Sequence, residues 1–123
     1  MRYYIDGYNL LFYLFHSSKD LRTKREMLIH LLQEKLATLA LDLTIIFEGK
    51  HHLDELSGKE YLEGLQMIFT PKGQSADEYI LQELSHTVHP SQYTIVTSDR
   101  ALGSHCRSLG AYTMTIAEFL RWL

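Results

Sequence analysis

The sequence predicts an α/β fold, with a parallel sheet and helices on both of its faces. Three observations carry that reading: five short apolar segments rich in β-branched and aromatic residues, helical apolar spacings between them, and helix-start signals at the junctions. The segments lack clean alternation, as strands covered on both faces do. Right-handed crossovers then place the intervening helices on both sides. The first strand is read over residues 3–5. Leu21, Leu28, Leu32, Leu36 and Leu39 follow on one helical face, with Thr23 and Glu26 spaced as a capping box. The second and third strands are read over 43–47 and 65–69. Ala76, Ile80 and Leu84 mark the next helix, opened by Ser75 with Glu78. A fourth strand, 93–97, leads to Leu102, Cys106 and Leu109, a helix stopped at Gly110. The fifth, 112–114, precedes a helix begun by Thr115 with Glu118. Pro71 and Pro90 fall between elements, and no linker or repeat divides the chain, which reads as one domain over residues 1–123. The polar stretch from His51 to Glu63 reads as a mobile flap.

Composition narrows the function classes. Twelve Lys and Arg against fifteen Asp and Glu give a formal charge of -3 in 123 residues. A protein that grips nucleic acid by charge alone is basic, so any RNA or DNA here needs another source of positive charge. The one cysteine, Cys106, excludes an internal disulfide and any zinc site built on two thiolates. The opening residues do not resemble a signal peptide, and no apolar run approaches the roughly 18 residues of a membrane span. The expected location is cytoplasmic, without a membrane partner. The oligomeric state stays open.

In parallel sheets, chemistry gathers beyond the carboxyl ends of the strands. Here those ends carry acids. Asp6 follows the first strand in Asp6-Gly7-Tyr8-Asn9, Glu48 follows the second, Asp77 opens the helix after the third, and Asp99 follows the fourth. Crowded carboxylates repel one another unless a cation sits among them or some take up protons. Such oxygen ligands suit Mg²⁺ or Mn²⁺, and the ion would also supply the positive charge that the composition lacks. Asp77 and Asp99 equally suit the start of a helix, where the macrodipole favours a negative side chain. Asn9 suits a turn, or could hydrogen-bond a metal-bound water or a phosphate. Glu78 reads as the capping partner of Ser75 and is left out of the metal site.

Asp6-Gly7-Tyr8-Asn9, the Lys72-Gly73-Gln74-Ser75-Ala76-Asp77 segment and Thr97-Ser98-Asp99-Arg100 together resemble the ordered motifs of NYN-domain ribonucleases. The likeness is strongest to the YacP-like branch of the wider PIN-like nuclease group, and it runs from Tyr4 to about Glu118. The resemblance implies a three-layer α/β/α PIN-like fold, with a five-stranded parallel sheet in order 3-2-1-4-5. It also implies a metal-dependent endoribonuclease that cuts single-stranded RNA, with translating ribosomes as a partner of its YacP-like relatives. In that order the first and fourth strands are neighbours, so Asp6 and Asp99 would face one another across about 4.8 Å. Two departures stand out: Glu48 occupies a position where Asp is more usual, and the chain stops at Leu123, soon after its last helix.

The expected metal ligands are Asp6, Asp77 and Asp99, with Glu48 in support, and Asn9 joins the three aspartates in the catalytic set. Lys50, Lys72, Ser98 and Arg100 lie on the same edge and are expected to hold the RNA backbone. Tyr8 is read two ways, as a base-stacking ring or as packing under the first loop. Lys19, Arg22, Lys24 and Arg25 read as a solvated charged face more than as an RNA surface. The His51-His52 pair matches no zinc-site spacing. Cys106 reads as core, with His105 beside it as a partly buried helix residue. A second reading keeps the fold as an RNA- or ribosome-binding module that does not cut. A phosphoryl-transfer enzyme ranks last, because no Asp-x-Asp pair follows the first strand.

Overall fold

The computed structural model of the chain describes residues 1–16, 19–36, 38–39, 41–49, 58–62 and 65–123, with 58–62 as backbone only. The described strands are β1 (Arg2–Asp6), β2 (Asp42–Phe47), β3 (Gly58–Leu62), β4 (Leu65–Phe69), β5 (Tyr93–Val96) and β6 (Tyr112–Met114). The described helices are α1 (Gly7–Leu14), α2 (Leu21–Leu36), α3 (Ala76–His86), α4 (Arg100–Ser108) and α5 (Ile116–Leu120). The strands form one sheet in the order β3-β4-β2-β1-β5-β6. Its five parallel members reproduce the order expected from the sequence, 3-2-1-4-5.

β3 corrects the flap reading for part of its length. Residues 58–62 pair antiparallel with β4, from Gly58 opposite Phe69 to Leu62 opposite Leu65. The segment Gly58-Lys59-Glu60-Tyr61-Leu62 is charged because it forms a sheet edge, where charge discourages further pairing. The remainder of the expected flap, with His51 and His52, lies outside the described residues, as does Lys50 before it.

The two faces of the sheet carry separate cores. Successive strand residues point to opposite sides, so Ile5, Ile45 and Phe47 enter one core and Tyr4 and Ile46 the other. Leu10 and Leu11 of α1, Leu28, Leu32 and Leu36 of α2, and Phe119 of α5 cover the first. Ile80 and Leu84 of α3 with Leu102 and Cys106 of α4 cover the second. Cys106 is core, as expected, and burial pushes its thiol up to about 11, which leaves it a poor nucleophile. His105 is exposed rather than partly buried.

The helix starts follow their sequence signals at two of three places. Thr115 and Glu118 form a full reciprocal capping box, and the Ser75 hydroxyl accepts the Glu78 amide at 3.0 Å. At α2 the cap is Asp20, whose Oδ1 accepts the Thr23 amide at 2.8 Å, so Thr23 lies inside the first turn. That helix also ends at Leu36, short of Leu39. Among the described residues, no helix is long and apolar enough to cross a membrane.

Candidate active site

Four carboxylates stand at the carboxyl edge of the sheet, each beside the start of a helix. Asp6 ends β1 and caps α1, its Oδ1 accepting the Asn9 amide at 3.2 Å. Glu48 follows β2, and its Oε1 accepts the Ala76 amide, the first of α3, at 3.3 Å. Asp77 is the second residue of α3. Asp99 follows β5 and caps α4, with Oδ1 accepting from Ala101 at 2.9 Å and Leu102 at 3.1 Å. Three helix N-termini thus turn toward the acidic edge, and their partial positive charge offsets some of the repulsion.

That offset is incomplete. Burial, opposed by the Asn9 amide and reinforced by Asp77 and Glu48, pushes the Asp6 carboxyl up to about 6. Asp77 is also raised, by burial first and then by Asp99, Glu48 and Glu78. These couplings link Asp77 to each of the other three acids, while the structure ties Asp6 to Asp77 and Glu48. Asp77, at the start of α3, is the member whose coupling reaches Asp6, Glu48 and Asp99 alike. Glu78 repels Asp77 from the rim without joining the set.

The surrounding candidates divide. Asn9 is exposed and sits in the first turn of α1, so it is helical rather than a turn residue. Lys72 is exposed in the turn before α3, while Ser98 and Arg100 are exposed around Asp99. Lys50 lies outside the described residues. Tyr8 is buried, which removes it as a base-stacking ring. Its ring stacks on Phe12, meets Phe47 edge-on at 5.2 Å, and its hydroxyl accepts from Arg25 at 3.2 Å. We predict that Tyr8→Leu lowers the melting temperature, by about 2–4 kcal/mol of stability on the scale of large-to-small core changes. RNA affinity per folded molecule is expected to stay unchanged; a specific loss of RNA binding with a normal melting temperature would restore the stacking role.

Arg25 is a second correction. It is buried against Tyr8 rather than solvated, while Arg22 pairs with Glu26 at 3.6 Å and Lys24 sits over the Phe12 ring at 5.8 Å. The helix α1 that Tyr8 and Asn9 belong to was also missing from the sequence reading. It can lie so close to the sheet because residue 7 is glycine. A Cβ there would come within 2.5 Å of Phe47 Cε1 and 2.7 Å of Ile45 Cγ2.

The donor set at this edge is all oxygen, which suits a hard divalent cation. Among the described residues, no ion pair neutralises Asp6, Asp77 or Asp99, and burial first, then neighbouring acids, raises the pKa values of Asp6 and Asp77. The absent ion pairs and these raised values both fit a site completed by a cation. Among the described residues, however, no three His, Cys, Asp or Glu side chains group closely enough to encase an ion. That is compatible with Mg²⁺, which keeps several waters and needs only one or two carboxylates beside substrate phosphate.

The YacP-like NYN domain family matches residues 3–123 of the chain. Two crystal structures of Rae1 (YacP) from Bacillus subtilis are similar to it. One, of a single-substitution mutant, gives a TM-score of 0.72 at 20% identity, covering 98% of this chain and 72% of that one. The other gives 0.71 at 24% identity with the same coverage. At such identities the likeness speaks to the fold, which the chain shares. Comparison with curated proteins finds no match.

Proposed function

The chain belongs to the YacP-like NYN domain family, a nuclease-type family, and on that premise we propose that it is a metal-dependent endoribonuclease cutting single-stranded RNA. The observation that carries the proposal is the coupled acidic edge, in which Asp6 and Asp77 are held half-buried and both give up their protons reluctantly, Asp6 only at about pH 6. Mg²⁺ or Mn²⁺ would be held among Asp6, Asp77 and Asp99, directly by one or two of them and through its waters by the rest, with Glu48 bracing the start of α3 and completing the negative field. When bound, such an ion activates water and neutralises charge on a phosphate undergoing in-line displacement.

The chain's own residues do the rest. The amides of α1 and α4 fix Oδ1 of Asp6 and of Asp99, which orients both carboxylates before any ligand arrives. Both bonds to Asp99 fall on Oδ1, which leaves Oδ2 for a ligand. Asn9, one helical turn from Asp6, is placed to hydrogen-bond a water or a phosphate oxygen. Arg100, Ser98 and Lys72 flank the acids and would hold the RNA backbone, supplying the charge that the net balance of -3 does not. Messenger RNA on the ribosome is the form of substrate that the family likeness adds.

The second reading, a binding module that no longer cuts, draws on one observation: Glu48 is committed to the Ala76 amide instead of standing free for a metal. A labelled panel of single-stranded RNAs, bare and ribosome-bound, separates the two. We expect cutting with Mn²⁺ or Mg²⁺ that stops with chelator and resumes when metal is restored. Cutting indifferent to chelator would sink the metal role. Binding without cutting under every condition would favour the module.

A further inference from the structure

Beyond Asp99 the sheet edge gains guanidinium groups beside its acids. A cleft of about 310 Å³ opens between α4, β6 and the start of α5, with Asp99 on one wall and Ser98, Arg100 and Arg107 among its lining. Arg107 is aimed across this cleft: its Nη1 donates to the Thr113 hydroxyl on β6 at 2.8 Å. That bond occupies one corner of the guanidinium and leaves its other N–H groups for a ligand. Among the described residues, neither Arg100 nor Arg107 forms an ion pair. The acids on the rim are already engaged, Asp99 with the amides of α4 and Glu118 with the Thr115 amide at 3.1 Å. A guanidinium fork without a carboxylate partner, framed by hydroxyls, is built to receive a phosphate.

The topology sets where that phosphate belongs. Glu48, Asp6 and Asp99 follow β2, β1 and β5, and Thr113 lies on β6, the next strand outward. Thr113 is in register with Ile95 and, through it, with Tyr4, so it stands two strand spacings of about 4.8 Å each across from β1 and two residues back from the level of Asp6. A nucleic-acid strand laid along this edge meets carboxylates first and guanidinium next. We infer that the cleft is a phosphate subsite, in which Arg107, steadied by Thr113 and aided by Arg100 and Ser98, binds the phosphodiester neighbouring the one at the acids. The inference takes its substrate class from the nuclease reading but concerns binding, so the two fail separately.

The test is binding of a fluorescent single-stranded oligoribonucleotide, in chelator and in Ca²⁺, at several salt concentrations, beside steady-state cleavage. Arg107→Gln is expected to weaken binding about 5- to 30-fold, on the scale of one charge-assisted contact. Its log-log salt slope should be shallower by about 0.7, the value of one phosphate contact on a single strand. Arg107→Lys should recover the slope but only part of the affinity, since a point charge lacks the fork. Thr113→Val should cost a few-fold with the slope kept. In cleavage, Arg107→Gln should raise KM more than it lowers kcat. Wild-type affinity and slope in Arg107→Gln would overturn the subsite, as would an intact chain that binds no RNA in either buffer. An intact chain that binds but never cuts, with Arg107→Gln still weakened, would sustain the subsite and sink the nuclease.

Discussion

Asp6→Asn is expected to abolish cleavage and, in the same protein, to raise the melting temperature at neutral pH. Asn keeps the acceptor oxygen that caps α1, and it ranks with Asp at that position. It removes the charge that burial, Asp77 and Glu48 all oppose, and its new amide N–H group can donate toward those acids. The folded-state value of about 6 lies above the usual carboxylate value of 3.8, so folding favours the protonated form. The wild-type chain therefore carries a stability deficit that is fully present above pH ~6 and disappears as the pH falls toward ~4. Roughly two units at 1.36 kcal/mol each set an upper bound, and about 1–2 kcal/mol is the expected gain once solvent screening is allowed for. That corresponds to about 4–8 °C for a chain of this size. Measured in chelator at pH 7.5 and pH 4.5, the gain should be present at the first and nearly gone at the second. Activity should fall by about two to three orders of magnitude, the scale of losing one group that stabilises transition-state charge. Full activity would sink the assignment of Asp6 to the metal site; a melting temperature that drops equally at both pH values would show that its cap outweighs its charge.

The double role of Asp6 also shows what the sequence made legible and what it hid. The five parallel strands and α3, α4 and α5 stood out because their apolar periods and start residues agree with one another. The acids were visible as residues following strands, and the structure brings them to one edge. α1 was not visible, because Tyr8-Asn9-Leu10-Leu11-Phe12-Tyr13-Leu14 is apolar nearly all round and offers no helical contrast. β3 was hidden by its own charge, which an edge strand needs and a loop shares. Arg25 was misread by company: it stands among Lys24 and Arg22, yet it lies on the stripe of Leu21, Leu28 and Leu32, four residues after the first. Arg107 could have been found the same way, since Arg100 and Arg107, seven apart, share one face of α4. The pattern placed Asp77 at this site but not the strength of its coupling, which depends on how far the start of α3 leans over the sheet.

That lean rests on Gly49, and replacing it should disable the protein more thoroughly than any other single methyl group discussed above. Gly49 is buried where β2 passes the turn that leads from β4 into α3. Its amide donates to the Thr70 hydroxyl at 2.9 Å, and that hydroxyl donates in turn to the Gln74 carbonyl at 2.8 Å. The Thr70 amide returns to the Phe47 carbonyl at 3.0 Å. A Cβ at residue 49 would collide with the Thr70 carbonyl oxygen and stand 2.9 Å from the carbonyl carbon and oxygen of Pro71. These are backbone atoms, so no side chain can swing aside; the turn itself must retreat, carrying α3 and Asp77 away from Asp6. Gly49→Ala is expected to cost about 2–3 kcal/mol, the upper part of the over-packing range, against at most about 1 kcal/mol regained from a less flexible unfolded chain. The melting temperature should fall by about 4–12 °C, with cleavage depressed even at temperatures where the variant is fully folded. Gly73→Ala provides the contrast within the same turn. Its φ is 96° and no atom lies within 4 Å of the added Cβ, so the penalty is backbone strain of about 1–2 kcal/mol without a collision. If Gly49→Ala melts like the wild type, the close approach of the two loops is not what holds Asp77 in place. If both variants lose stability equally but only Gly49→Ala loses activity well below its melting temperature, the position of α3 is what the acidic edge requires.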